Sequence, residues 1–355
     1  MHDWFINLSR ENQFLVFSVA KIVGVFAVFM AMVAYIVLVE RRVCAFIQDR
    51  VGPNRTGPFG LLQPLADAAK LIFKEDFTPA HVRTVYFWLA PAITMIPALL
   101  TIAVIPFGGQ IGDQFLVIAD LNVGILYTFG IVSLGVYGIV LAGYAANSKY
   151  PFLGGIRSSA QMISYEIAMG LCVIPVFLLV GDLNLNQVVM YQSKSFLDWM
   201  AFKQPLAFGI FIIAALAEMN RLPFDLPEAE QELVGGYNVE YSSMKFGMFF
   251  MGEYANMLVA SAMIVTLFLG GWSFPLFGLD QSMGTLTDAL LHVGIFFAKL
   301  AFVAVIVIWT RWMLPRFRYD QLMDLGWRRF IPLALANIVV TAVVLWAMAM
   351  TKPTP

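Results

Sequence analysis

Eight long apolar runs decide what this chain can become. They fall near residues 14–39, 85–105, 121–145, 157–181, 205–222, 247–271, 290–314 and 329–350. Crossing the hydrocarbon layer takes roughly 20 mostly apolar residues in a helix. The expected fold class is therefore an all-α polytopic membrane protein with about eight transmembrane helices. No polar region is large enough for a soluble domain, so residues 1–355 read as a single membrane domain. The first run is too long for a cleavable signal and has neither a basic leader nor an A-x-A site, which predicts a retained helix. The fifth run is short and ends in polar residues, so its last turns are expected to be buried in protein rather than lipid.

Cation placement predicts the orientation. The segments joining runs 1–2, 3–4, 5–6 and 7–8, with their flanks, hold 16 of the 22 Lys and Arg residues. Positive charge marks the cytoplasmic side. Both termini then lie outside, and the long polar loops face the cytoplasm. In the first of these loops, Gln63, Asp67, Lys70 and Lys74 form a polar stripe at helical spacing, opposite Leu62, Leu65, Ala66, Ala69, Ile72 and Phe73. With Pro64 placed for a first turn, this predicts a short amphipathic helix, lying in the membrane interface or packed on a neighbouring protein.

Several function classes are excluded early. A net charge of −1 argues against a nucleic-acid partner. Cys44 and Cys172 are far apart and form no C-x-x-C, so neither a disulfide framework nor a metal site is implied. His2, His81 and His292 do not pair as haem ligands, because on this topology His81 is cytoplasmic and the other two are outside. There is no dinucleotide fingerprint, P-loop or nucleophile elbow. Transport, channel or coupling work without a bound cofactor is what remains.

Composition matters at one place. The chain is 60% hydrophobic and 13% charged, yet residues 217–254 carry seven acids, Glu218, Asp225, Glu228, Glu230, Glu232, Glu240 and Glu253, against only Arg221 and Lys245. Glu218 ends the fifth run and Glu253 opens the sixth, while Glu166 sits in the middle of the fourth, in S-Y-E-I-A-M-G. Ionisable groups at membrane depth are costly and are functional candidates by default. A carboxyl taken out of water keeps its proton to higher pH, which suits a proton path. The alternative is a carboxylate neutralised by Arg or Lys that only fixes helix packing. Glu40, beside Arg41 and Arg42, suits that reading as well as the functional one. Lys21 can snorkel outward, whereas Lys299 lies too deep and reads as partner to an unspecified buried acid. Tyr144, Phe224, Tyr237 and Tyr241 fit an apolar tunnel lining or ordinary packing.

Three stretches carry a family resemblance. Glu40–Glu75, E-R-R-V-C-A-F-I-Q-D-R-V-G-P-N-R-T-G-P-F-G-L-L-Q-P-L-A-D-A-A-K-L-I-F-K-E, closely resembles the first loop of the H-subunit family of bacterial NADH:quinone oxidoreductase (respiratory complex I), counterpart of mitochondrial NADH dehydrogenase subunit 1. Ala217–Tyr254 is similar to that family's acidic loop, and R-W-M-L-P-R-F-R-Y-D-Q-L-M-D-L-G-W (Arg311–Trp327) to its last cytoplasmic loop. Arg42 stands where lysine is frequent.

The resemblance implies a multi-pass subunit of the bacterial cytoplasmic (inner) membrane, at the joint between the redox arm and the proton-pumping arm. It implies much of the chamber through which quinone (ubiquinone or menaquinone) passes, and the start of the carboxylate chain toward antiporter-like subunits. Its partners would be hydrophilic quinone-site subunits on the cytoplasmic side, small membrane subunits and antiporter-like subunits laterally, and lipid. NADH, FMN and iron–sulfur clusters would reside in partner subunits, with no metal or covalent cofactor here. Carried over by position, Glu166, Glu218, Asp225, Glu228, Glu230, Glu232, Glu240 and Glu253 match the family's acids on the proton path. Glu40, Arg41, Arg50, Asp67, Lys70, Arg221 and Phe224 match the chamber and first loop. A membrane subunit of a related hydrogenase-type complex and a free-standing cation/proton antiporter are the alternatives.

Overall fold

The computed structural model describes residues 10–111, 114–226, 235–275 and 286–351. Its helices, in chain order, are α1 (Arg10–Ile47), α2 (Gln63–Phe73), α3 (Thr84–Thr101), α4 (Gly124–Ala145), α5 (Lys149–Val180), α6 (Leu185–Gln192), α7 (Pro205–Glu218), α8 (Ser243–Phe268), α9 (Leu286–Met313), α10 (Tyr319–Asp324) and α11 (Ile331–Thr351). A π-helical turn, Leu325–Phe330, joins α10 to α11. Gly108–Ile111 and Gln114–Leu116 pair as a small antiparallel ribbon. Among the described residues, seven segments, built on α1, α3, α4, α5, α8, α9 and the α10–α11 unit, are long and apolar enough to cross a membrane; α7 is a shorter apolar helix. The all-α polytopic reading holds.

Helix bounds differ from the apolar runs where polar residues continue a helix or end it early. The first helix runs past residue 39 to Ile47, so Glu40, Arg41 and Arg42 sit inside its last turns. Helix α5 starts at Lys149 rather than 157, with Ser148 as its N-cap residue. Helix α7 stops at Glu218, because Asn220 takes φ 52° and Pro223 follows in the next turn. Its 14 residues span roughly 21 Å at 1.5 Å per residue, too little for a hydrocarbon core of about 30 Å. Its last five residues, Ala214 to Glu218, are all buried within the chain, as the polar end of that run predicts.

Close helix approach comes from small residues, as is usual in membrane bundles. A Cβ at Gly138 of α4 would collide with Thr94 Oγ1 of α3, so only glycine fits there. One at Gly154 of α5 would lie 2.9 Å from the Gly236 backbone, which brings the acidic segment against α5. The most enclosed spanning helix is α8, and the α10–α11 unit is the least.

The amphipathic helix forms as expected, with Pro64 in its first turn, although Lys74 lies just beyond its end. Much of its apolar stripe stays uncovered by the described residues, with Leu65, Ile72 and Phe73 exposed. Contact with α8 runs instead through Leu71, whose carbonyl accepts from Ser243 Oγ at 3.0 Å and whose side chain meets Gly247.

Candidate functional site: a buried carboxylate–arginine cluster

The turn after α7 places Arg221 on the axis of the site. Asn220 in the left-handed region and a proline two residues past Arg221 prevent the helix from continuing. Gln161 of α5, fully buried, pins this turn at both ends. Its Nε2 donates to Ala217 O at 2.8 Å and Phe224 O at 2.7 Å. Arg221 is thereby aimed between α1 and α8.

Arg221 Nη1 donates to both oxygens of Glu40, at 2.8 and 2.9 Å. Its Nε lies 2.6 Å from Glu253 Oε1, and its guanidinium stacks 4.3 Å from the Tyr254 ring centroid. Tyr254 in turn donates to Glu40 Oε2 at 2.7 Å, and Arg311 at the end of α9 reaches Glu40 Oε1 at 2.5 Å. Burial works against the Arg221 charge, but Glu253 and Glu40 outweigh it, and the guanidinium is held above its ordinary pKa. One turn outward, Arg316 meets Asp225 at 2.9 Å. Burial pushes the Asp225 carboxyl above its usual range, with Arg316 pulling against it.

Beyond Arg221 the acids lose their cations. Both Glu218 oxygens are buried without a hydrogen-bond partner. Three cavities run through this region. The first, of about 100 Å³, is lined by Arg221, Asp225, Glu253, Tyr254 and Arg311. The second, of about 20 Å³, touches Glu253, Asn220, Glu218 and Asn256. The third, of about 40 Å³, touches Glu218 and Asn256 on the far side. Glu166 lines none of these; Ser133 of α4 donates to it, and it is near enough to Glu218 to act on it electrostatically. Among the described residues no three His, Cys, Asp or Glu side chains converge as metal ligands would.

The comparisons with known proteins agree with one another. Residues 20–342 match the family described as NADH dehydrogenase. A protein of Syntrophobacter fumaroxidans, named as H subunit 2 of NADH-quinone oxidoreductase, is 51% identical over 333 residues, covering 92% of this chain and 96% of its own. H subunit 1 of Cytophaga hutchinsonii is 46% identical over 336 residues, covering 93% and 96%. H subunit 1 of Geobacter sulfurreducens is 49% identical over 341 residues, covering 92% and 94%. The chain belongs to the H-subunit family of NADH-quinone oxidoreductase.

Within this family member the predicted residues separate into groups. Glu40, Arg221 and Glu253 meet directly, with Asp225 and Glu218 bordering the same cavities. Glu240 stands apart at the surface, 3.8 Å from His81 Nε2. Glu228, Glu230 and Glu232 lie outside the described residues. The first-loop residues make contacts of their own: Arg41 meets Asp67 at 2.7 Å, Lys70 lies 3.8 Å from Asp67, and Arg50 separately donates to Gln48 at 2.7 Å. Phe224, 2% exposed, is packed between Tyr165 and Phe317 and lines none of the three cavities.

Lys299 departs from its expectation. Its Nζ donates to the carbonyls of Leu269, Gly271 and Ser273 at 2.6, 3.1 and 2.6 Å, so it caps the end of α8 and is not paired with an acid among the described residues. Lysine suits a helix C-terminus, where unsatisfied carbonyls collect. Lys21, expected to snorkel, donates to Val117 O at 3.0 Å. Sequence reasoning did not single out Tyr254, Arg311, Arg316, Ser133 or Gln161. The first three were legible in principle, since Tyr254 adjoins Glu253, Arg311 lies in the last turn of the seventh apolar run and Arg316 just follows it, as Glu40 follows the first.

Proposed function

We propose that this chain is a membrane subunit of a proton-pumping NADH:quinone oxidoreductase, forming much of the quinone-access chamber and coupling quinone reduction to proton translocation. The observation that carries the reading is Glu218: buried, unpaired, and joined through small cavities to the Glu253–Arg221–Glu40 cluster. A permanently neutralised acid would serve packing alone, and among the described residues no cation pairs with Glu218. The relatives are named as quinone oxidoreductase subunits rather than hydrogenase or antiporter subunits, which favours this reading over both alternatives.

The electron transfer itself belongs to partner subunits that hold FMN and iron–sulfur clusters; this chain's residues respond to it. Quinone reduction places negative charge, or a demand for protons, near the acidic segment. At about 4 Å, unit charges interact by about 4 kcal/mol at an effective dielectric near 20. That equals roughly three pKa units, enough to change which carboxylate holds a proton. Arg221 is the switch point, because it is shared between Glu40 and Glu253; weakening either contact strengthens its hold on the other. The bacterial inner membrane, with both termini on the periplasmic side, is the setting that the cation distribution supports.

Glu218→Gln and Glu166→Gln in the assembled complex test this. Both variants are expected to depress proton pumping driven by NADH and quinone. Wild-type pumping in both removes these acids from the path.

A further inference from the structure

Glu253 and Glu218 border the same small cavity without touching, and Glu218 also borders a second cavity beyond it. Two residues line both compartments together with Glu218: Met219, which is apolar, and Asn256. Asn256 lies three positions after Glu253 on α8, so the two side chains share one helix face. Its amide makes no hydrogen bond to any described residue, unlike Gln161, Asn184, Gln192 and Gln204, each of which is bonded. A side-chain amide offers two donors and an acceptor, and leaving them unused at this depth is costly unless water satisfies them. The cavities measure about 20 and 40 Å³, and roughly 10–15 Å³ is enough for one water with polar partners. The polar partners are present: two orphaned Glu218 oxygens and the Asn256 amide.

We propose that Asn256 is a positioning residue for proton transfer, holding the water that joins the compartments on either side of Glu218. The step is a relay. A proton leaving the Glu253 carboxyl binds the water, which releases a different proton to a Glu218 oxygen and is restored; Asn256 orients that water and is itself unchanged. The same amide, facing the far compartment, supports the onward step away from Glu218. This inference rests on the proposed role of Glu218.

The test uses the assembled complex in membrane vesicles and reads protons translocated per electron passed to quinone. Asn256→Leu, of similar size but without hydrogen-bonding groups, is expected to lower that ratio by about tenfold or more, the scale of a lost proton-transfer step. Asn256→Ser, which keeps a hydroxyl and leaves room for water, is expected to retain it. If the leucine complex does not assemble, Asn256→Val gives the same comparison with less bulk. A leucine variant that pumps like wild type overturns the proposal, as does equal loss in leucine and serine variants, which would mark a packing role. Glu218→Gln is measured alongside. If it pumps normally, the reading of Glu218 fails; if it loses pumping while Asn256→Leu does not, only the role of Asn256 fails.

Discussion

Arg221 grips both oxygens of Glu40, at 2.8 and 2.9 Å, across 181 residues of sequence. Since Arg221 sits just past α7 and Glu40 near the end of α1, the pair ties the acidic segment to the first helix. Glu253 of α8 shares the same guanidinium at 2.6 Å. One planar cation therefore fixes three elements, which a lysine's single ammonium point charge does not reproduce.

Replacing Arg221 leaves buried Glu253 without a cation among the described residues and leaves Glu40 with Arg311 alone. Breaking a buried ion pair from one side costs roughly 3–5 kcal/mol, so Arg221→Met is expected to lower the thermal stability of the purified complex and abolish most quinone reductase activity. Adding Glu40→Gln to Arg221→Met removes a buried charge that has lost its two-point partner and should restore part of the stability. Differential scanning calorimetry of the two variants checks this; a double variant no better than the single would show that Glu40 draws little from Arg221.

Tyr254 contributes in two separable ways. Its hydroxyl donates to Glu40 at 2.7 Å, and its ring lies 4.3 Å beneath the Arg221 guanidinium. Tyr254→Phe deletes only the first, a hydrogen bond to a charged group worth about 1.5–3 kcal/mol. Tyr254→Leu deletes both, with a further loss of about 0.5–2 kcal/mol from the cation–π contact. The expected order of quinone reductase activity is wild type, phenylalanine, leucine. Equal activity in the two variants would mean that the ring face does not matter.

The apolar runs made the helical architecture legible, because a spanning helix needs little more than length and hydrophobicity. They were blind to the break after Glu218, which depends on Asn220 and Pro223 acting together. The acids of the site were legible through their cost at membrane depth. Their partners were not, since Arg311 and Glu40 are 271 residues apart and only packing brings them together. Lys299 shows the limit from the other side: the same cost argument flags a buried cation but cannot tell a carboxylate partner from three backbone carbonyls.

That distinction predicts a specific phenotype for Lys299→Met. The carbonyls of Leu269, Gly271 and Ser273 lose their shared donor, and each buried acceptor left unmade costs about 1–3 kcal/mol. Thermal stability should therefore fall, while protons pumped per electron by the surviving complex stay at the wild-type ratio. A stable variant with a lowered ratio would place Lys299 in proton transfer instead of helix capping.

Asp225 gives the acidic segment a pH dependence whose sign follows from its surroundings. Burial raises its folded-state pKa above the ordinary 3.8, and Arg316 at 2.9 Å only partly opposes this. The folded segment then binds the Asp225 proton more tightly than an unfolded one does. Where the unfolded state binds fewer protons, stability falls as pH rises, so this contribution is present below 3.8 and is lost as pH climbs through the raised value. Asp225→Asn cannot ionise and should flatten the dependence. Hydrogen exchange of residues 219–226 in the assembled complex, corrected for the intrinsic pH dependence of exchange, measures it. Protection that declines with pH in wild type but not in the asparagine variant is the expected result; parallel declines would assign the effect to another group.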